Sequence, residues 1–420
     1  MVDVFKIFCM KCYVAYVLQS DQLSVLFGSI DGRISNSLDL DVTKTSYLHP
    51  GDVLGEWTVL DKIGEGGFGA VYLVKDKKGN EYAMKTESVN AIVKLLKTSK
   101  SGLELLMGTY GHMVLKAEYY VLTELKKTKA KHFCDILDSG LIGENKYVVM
   151  TLVGQSLTEL RKHDPTQKIQ KFTMGCAISV GIKCLEAIEE LHNIGYLHRD
   201  IKPGNFAIGR KNLRQIYLLD FGMCRRYINN QSTIRNPRRS AGFRGTIRYA
   251  SISSHISREQ CRKDDLESWL YQQYGSIRVL STQSNYILFQ LSNSRYNIDY
   301  PISCIRSLFS ITIMMNFLVE LTAGYLPWKN MQDKDEVGRC KQLCRKDECI
   351  KELFGGCPRE YITIMRLIDS IRYYSKPEYK KITDLMYDAL RNNNVSEYPY
   401  DWEKYLESPR ETGGTEVKAL

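Results

Sequence analysis

Long apolar runs are nearly absent from this 420-residue sequence. The best membrane candidate, VFKIFCMKCYVAYVL at residues 4–18, carries Lys6 and Lys11 and is shorter than the roughly 20 apolar residues a spanning helix requires, so no membrane anchor is expected. No stretch combines the charged, apolar and small-residue parts of a secretory leader. The twelve cysteines are scattered, with none of the spacing of a small secreted framework, and reduced thiols in a cytoplasmic, or also nuclear, compartment are expected. Cys9 and Cys12 have the spacing of half a zinc site, but no second pair stands at a fitting distance and structural zinc takes four ligands. What is present is ordinary for a soluble globular chain: 44% apolar and 25% charged residues, with length enough for two lobes and a sizeable core. The formal net charge of +10 favours acidic partners, and its meaning depends on where the charges lie.

From Trp57 the chain reads WTVLDKIGEGGFGAVYLVKDKKGNEYAMK, short strand-like runs with turn chemistry at Lys78-Gly79-Asn80. Gly64, Gly66, Gly69 and Val71 fit G-x-G-x-x-G-x-V, the pattern of a phosphate-covering loop, although glycines also mark bulges and hairpin turns. Context separates the kinds of glycine loop. A dinucleotide-binding one opens a helix, whereas here YLVKD continues as a strand and Ala83-Met84-Lys85 comes on the next. A lysine so placed offers fixed positive charge to nucleotide phosphates and needs an acid to hold it. Glu118 is the candidate, in VLKAEYYVLTELKK, where Leu115, Glu118, Leu122 and Leu125 recur at helical spacing. Singly, either residue is more often a solvated surface charge; the pairing gains its force from the motifs of the second half of the chain.

Residues 196–208 read YLHRDIKPGNFAI and residues 216–222 read IYLLDFG. They resemble the protein kinase catalytic loop, H-R-D-x-K-x-x-N, and the metal-binding D-F-G. The resemblance implies a bilobal α+β fold, with a small sheet-rich N-lobe over 57–150, a larger helical C-lobe over 154–400, and ATP with Mg2+ between them. Phosphoryl transfer demands in-line geometry and charge neutralisation more than covalent help. Asp200 would then accept or orient the attacking hydroxyl, Lys202 would steady the γ-phosphate, and Lys85 with Glu118 would hold the other phosphates. Asn205 and Asp220 would ligate magnesium, and His198 and Asp265 would brace the loop. Lys202, two residues after the aspartate, resembles serine/threonine rather than tyrosine kinases.

GFRGTIRYASISSH, at 242–255, stands where most kinases carry A-P-E and resembles the casein kinase 1 family. Within that family, YVVMTLVGQSL, GYLHRDIKPGNFAIGR, LLDFGMCRRY and AGFRGTIRYAS are most similar to the tau-tubulin kinase branch. The similarity extends over nearly all of 57–400. It implies Met150 as gatekeeper, Thr151, Leu152 and Val153 as hinge, and an ATP site taking in Ile63, Gly64, Gly66, Gly69, Val71, Ala83, Lys85, Met150 and Leu152. The expected function is phosphorylation of Ser or Thr in proteins by a monomer. The rival is a catalytically inactive kinase-fold scaffold or binding module, against which the presence of Lys85, Glu118, Asp200, Asn205 and Asp220 argues.

Between Asp220 and Glu259 there is no acidic residue, while Arg225, Arg226, Arg235, Arg238, Arg239, Arg244, Arg248 and Arg258 all fall there. In a kinase this interval forms the peptide-binding floor, and clustered guanidinium groups would draw acidic or already phosphorylated substrates. By the resemblance Arg248, with Arg244 beside it, marks a substrate anion site. The alternatives are arginines that solvate a loop or that pair with the protein's own phosphate. Nucleic acid is not expected as a partner, because aromatic platforms are not interleaved with the basic residues.

Two stretches interrupt the family pattern. Residues 92–112, IVKLLKTSKSGLELLMGTYGH, separate the strand lysine from its helix and read as a tolerated loop or a short extra helix. Residues 272–316 carry only Arg278, Arg295, Asp299 and Arg306 as charges. With them removed, Leu266, Trp269, Leu270, Leu318 and Val319 form one helical stripe. This second stretch therefore reads either as an excursion from a helix or as translated noncoding sequence. Residues 1–56 read as a poorly ordered extension or as more of the same, and 401–420 as a C-terminal tail.

Overall fold

The structure, a computed structural model, describes residues 48–65, 69–88, 104–142, 145–162, 172–273, 326–328 and 330–406. A six-stranded antiparallel sheet comes first: β1 (Val53–Leu54), β2 (Trp57–Glu65), β3 (Gly69–Lys75), β4 (Glu81–Ser88), then β5 (Ile136–Ile142) and β6 (Asn145–Met150), in the order β1-β2-β3-β4-β6-β5. Helix α1 (Glu104–Lys127) crosses between β4 and β5. Period-two alternation gives this sheet two apolar faces. Ala70, Tyr72 and Val74 of β3 pack outward with Trp57, Val59, Met84 and Val149, and Val71 and Leu73 turn inward toward Ile63, Ala83, Val148, Met150 and Leu115 of α1. The inner face is the roof of a cleft.

Below it lies the helical lobe. Its elements are α2 (Leu157–Leu160), α3 (Met174–Asn193), β7 (Tyr196–Leu197), β8 (Phe206–Ile208), β9 (Ile216–Leu218), β10 (Arg225–Arg226), α4 (Ile252–His255) and α5 (Arg262–Gln273). After these come α6 (Lys334–Leu343), α7 (Asp347–Phe354), α8 (Glu360–Ser370), α9 (Tyr379–Asn392) and α10 (Glu403–Leu406). Helix α3 is apolar nearly all round and buried along its length, as a helix at the centre of a lobe must be. Leu266, Trp269, Leu270 and Tyr271 of α5 pack onto that core, with Trp269 Nε1 donating to the Gly181 carbonyl at 3.0 Å. The α+β bilobal architecture expected from the motifs is the one observed. No helix among the described residues is long and apolar enough to cross a membrane.

The lobes reach beyond the boundaries expected from the sequence. β1 lies before residue 57 and pairs with β2, Leu54 opposite Trp57, and Leu48 packs against the outer face. At the other end Trp402 is fully buried against Phe172, its Nε1 donates to the Leu213 carbonyl at 3.0 Å, and Asp401 accepts from the Thr173 backbone and hydroxyl at 2.6 and 2.7 Å. Residues 401–406 are thus part of the lobe. Trp402→Ala is expected to cost about 3–5 kcal/mol of stability, read as a fall in thermal or urea midpoint; an unchanged midpoint would mean that this end is dispensable.

The interruptions also sit differently from expectation. The second half of 92–112 is backbone of α1, which starts at Glu104, rather than a separate helix; 92–103 lie outside the described residues. Helix α5 continues through Gln273, two residues past the expected seam. Extending a formed helix adds a hydrogen bond per residue with no new nucleation, so both boundaries slide into neighbouring sequence. Residues 274–316, and the resumption expected at Phe317, lie outside the described residues. Tyr271 and Trp328 nonetheless meet, rings 5.1 Å apart and edge to face.

Candidate active site

Lys85 rises from β4 into the cleft and its Nζ lies 2.6 Å from Glu118 Oε2 on α1 and 3.6 Å from Asp220 Oδ1. Glu118 is buried. Burial alone would depress the Lys85 pKa, but the carboxylates of Glu118 and Asp220 outweigh it and hold the ammonium charged above the usual lysine range. Asp220 answers in kind: its carboxylate is open to the cleft on one side, the protein packed around the other would raise its pKa by desolvation, and the charges of Lys85, His198 and Lys202 bring it below the ordinary aspartate value. Its backbone is left-handed, φ 63°, a strained setting for a non-glycine residue, and its carboxylate caps the succeeding turn by accepting from Gly222 N. Phe221, buried beneath, packs its ring against His198 and Phe133.

The catalytic loop is held from α5. Asp265, buried, accepts from the backbone N–H groups of His198 at 2.7 Å and Arg199 at 2.8 Å and from His192 Nε2 at 2.9 Å. Arg199 takes φ 68° there, and its Nε donates to the Met223 carbonyl at 2.7 Å. His198 accepts from Asp200 N at Nδ1 and donates from Nε2 to the Leu219 carbonyl at 3.0 Å, so its ring joins the loop to the residue before Asp220. Asp200 Oδ1 then accepts from Thr246 N and Oγ1 at 2.8 and 2.7 Å, and Oδ2 from Lys202 Nζ at 2.7 Å. Asn205 Nδ2 donates to the Asp200 carbonyl at 2.9 Å, and the Asn205 carbonyl accepts from Leu219 N at 2.8 Å. One carboxylate and one amide side chain, Asp220 and Asn205, are hard oxygen donors of the kind magnesium takes when phosphates and water complete its shell. Among the described residues no cluster of three His, Cys, Asp or Glu side chains forms an all-protein cage.

The apolar wall of the cleft assembles Ile63, Ala83, Met150, Leu152 and Val153 with Ala207 from β8, and Val71 and Leu219 pack against it. Chain passes between the lobes at 151–155, where Gly154 N donates to the Ile208 carbonyl at 2.7 Å and Ile208 N to the Gln155 carbonyl at 3.1 Å. Gly64 pairs with Val71 across β2 and β3, and a Cβ at Gly69 would fall 1.7 Å from the Thr86 carbonyl oxygen, so only glycine fits there. Gly66 lies outside the described residues.

A protein kinase domain matches residues 57–257. A Dictyostelium discoideum protein named "Probable serine/threonine-protein kinase" is 32% identical over 84% of this chain and 57% of its own length. A Caenorhabditis elegans protein, provisionally named a serine/threonine-protein kinase, is 31% identical over 85% of this chain and 84% of its own. The chain belongs to the protein kinase family, among its serine/threonine members. Another Caenorhabditis elegans protein, provisionally named a casein kinase I, is 26% identical over 86% of this kinase and 87% of its own length. The kinase spans little more than half of the Dictyostelium relative.

In this kinase the arginine-rich interval is partly spent inside the fold. Glu259, buried, receives the Arg238 guanidinium through Nε and through NH2 at 2.9 Å, and Arg225 Nε at 3.5 Å. Burial would raise the Glu259 pKa, yet the Arg238 hydrogen bond and the charges of Arg225, Arg238 and Arg199 hold it below the usual range. Arg244 is only 6% exposed, and its guanidinium donates to its neighbour's carbonyl, that of Phe243. Its side chain is therefore inside the fold and not at the surface where the sequence suggested an anion site; Gly245 next to it turns at φ 103°, where a Cβ would fall 2.8 Å from the Arg199 carbonyl oxygen. Arg248 is half-buried, and Arg235, Arg239 and Arg258 are exposed. The sequence reading missed Thr246, Ala207 and Glu259. The first two could have been found from their neighbours, since Ala207 comes two residues after Asn205 and Thr246 precedes Arg248 by two; nothing local marked Glu259.

Proposed function

We propose that this kinase transfers the γ-phosphate of ATP to serine or threonine hydroxyls of proteins, that its substrates are acidic or already phosphorylated, and that it acts as a monomer of the casein kinase 1 kind, nearest the tau-tubulin branch. The observation that carries the reading is the setting of Asp200, whose two carboxylate oxygens are oriented by Thr246 and Lys202 at the mouth of the cleft that Lys85 enters from above. In that position the carboxylate would receive the hydroxyl proton, while the Lys202 ammonium would face the phosphoryl group in flight and Lys85 would hold the other phosphates. The apolar wall from Ile63 to Leu152 would take the adenine. Asn205 and Asp220 would hold magnesium, whose charge would neutralise the phosphates when bound. The GFRGTIRYASISSH and LLDFGMCRRY motifs and the relative provisionally named a casein kinase I support the family branch. Exposed Arg235, Arg239 and Arg258 with Arg248 support the substrate preference, since Glu259 already occupies Arg225 and Arg238.

A peptide array incubated with ATP and the full chain tests both parts, in parallel with a chain lacking 272–316. Acidic and phosphorylated peptides are expected to be labelled well ahead of basic ones; equal labelling would remove the preference. A chain that binds nucleotide and labels nothing in either form would point instead to a binding module.

A further inference from the structure

The backbone that carries Thr246 and Arg248 is pinned from beneath by one lysine. Lys341 of α6 is fully buried. Its ammonium lies 3.0 Å from the Ile247 carbonyl, 2.6 Å from the Ala250 carbonyl and 3.1 Å from His255 Nε2. His255 Nδ1 is 2.8 Å from the Lys334 carbonyl, which can only accept, so Nδ1 carries the imidazole proton and Nε2 turns a lone pair to Lys341. The three N–H bonds of an ammonium thus meet three acceptors. Burial pulls the Lys341 pKa well below the usual lysine value while Glu267 opposes it, and the acceptors together with the rings of Tyr271 and Trp328, centred 4.7 and 5.1 Å from Nζ, compensate the buried charge.

The carbonyl in between is taken as well. Trp328 Nε1 donates to Arg248 O at 2.7 Å, so residues 247, 248 and 250 are all gripped by groups from α6 and the turn before it. Gly338 permits the approach: a Cβ there would fall 2.9 Å from the His255 Cβ, which explains a helix-interior glycine despite its cost of about 1 kcal/mol relative to alanine. From the pinned loop, Thr246 reaches Asp200 through both its N–H and its hydroxyl.

We propose that Lys341 is a positioning residue for phosphoryl transfer: through the Ile247 and Ala250 carbonyls it sets the substrate floor, and thereby the register of Thr246 against Asp200 and the place of Arg248. The inference rests on the phosphotransferase reading of the cleft. It concerns the protein-substrate side, since none of the Lys341 contacts reaches the wall proposed for adenine.

The test compares full-length wild type with Lys341→Met and His255→Phe, using an acidic peptide and ATP, and tracks hydrogen exchange of the 246–250 amides. For Lys341→Met, kcat/KM for peptide is expected to fall about a hundredfold while KM for ATP stays within about twofold, and the 246–250 amides are expected to exchange faster. A variant whose peptide and ATP kinetics decline together, or whose exchange over 246–250 is unchanged, would overturn the inference. Should Lys341→Met not fold, His255→Phe, which removes one of the three Lys341 acceptors along with the Nδ1 bond to the Lys334 carbonyl, is expected to shift the same two readouts about tenfold, and their constancy would overturn it equally. Wild type inert on every peptide would sink the phosphotransferase reading, and the exchange comparison would still decide whether Lys341 holds the loop.

Discussion

Asp200→Asn is expected to lower kcat by about a thousandfold on any peptide the kinase accepts, with KM for ATP little changed. The asparagine oxygen can still take the Thr246 donors, so the loop keeps its shape. What is lost is the carboxylate: the amide NH2 cannot accept from Lys202, and no basic oxygen remains for the substrate proton. Lys85, Glu118 and the apolar wall are untouched by the change, which is why nucleotide affinity should survive. Initial rates over a range of ATP and peptide concentrations measure both quantities. A variant as fast as wild type would eliminate Asp200 as the catalytic base.

Asp265→Asn should be damaging in a different way, lowering stability by about 3–5 kcal/mol and kcat by about a hundredfold. Asp265 is buried and serves three N–H donors at once. An amide can accept from two of them at best and turns its own NH2 on the third, leaving a buried donor facing a donor. Those donors hold Arg199 at its strained φ of 68°, so losing them lets the loop relax and moves Asp200. The sign of the pKa shift sets the pH dependence. Burial pushes the Asp265 pKa up, but the His192 hydrogen bond and the charges around it bring it below the ordinary aspartate value. Its stabilisation is therefore complete above the unfolded value near 3.9 and is lost as pH falls through the lower folded one. Neighbouring Asp264 behaves oppositely: burial and the Glu267 charge raise it to about 6, so its ionisation costs stability as pH rises from about 4 toward 6. Urea melts from pH 3 to 7 on wild type and Asp265→Asn would show the difference; an unchanged melting midpoint in the variant at neutral pH would refute the bracing role.

The site was legible wherever chemistry is written in a short window. His198, Asp200, Lys202 and Asn205 lie within eight residues, and Asp220, Phe221 and Gly222 are adjacent, so their residue types and spacing survive without knowledge of the fold. Alternation in β3 and the repeat Leu115, Glu118, Leu122 announced a strand and a helix for the same local reason. The boundaries were less legible. Residues 48–56 and 401–406 look like loose ends in one dimension, and they belong to the fold because Trp57 lies opposite Leu54 and because Trp402 finds Phe172 about 230 positions away in the chain.

The arginines show the limit best. By sequence, eight guanidinium groups in an interval free of acids read as a surface awaiting an anion. In space, Glu259, which closes that interval, folds back onto Arg225 and Arg238, and Arg244 is buried. Sequence alone therefore determined the kinase chemistry, the order of the two lobes and which residues carry charge, because those depend on residue type and local period. Tertiary structure alone decided which charges are already paired, which three N–H donors Asp265 serves, and that Lys341 lies beneath the 247–250 backbone. Coulomb energy and hydrogen bonding depend on separation in space over a few ångströms, and residues many positions apart in the chain acquire that separation only when the lobe packs.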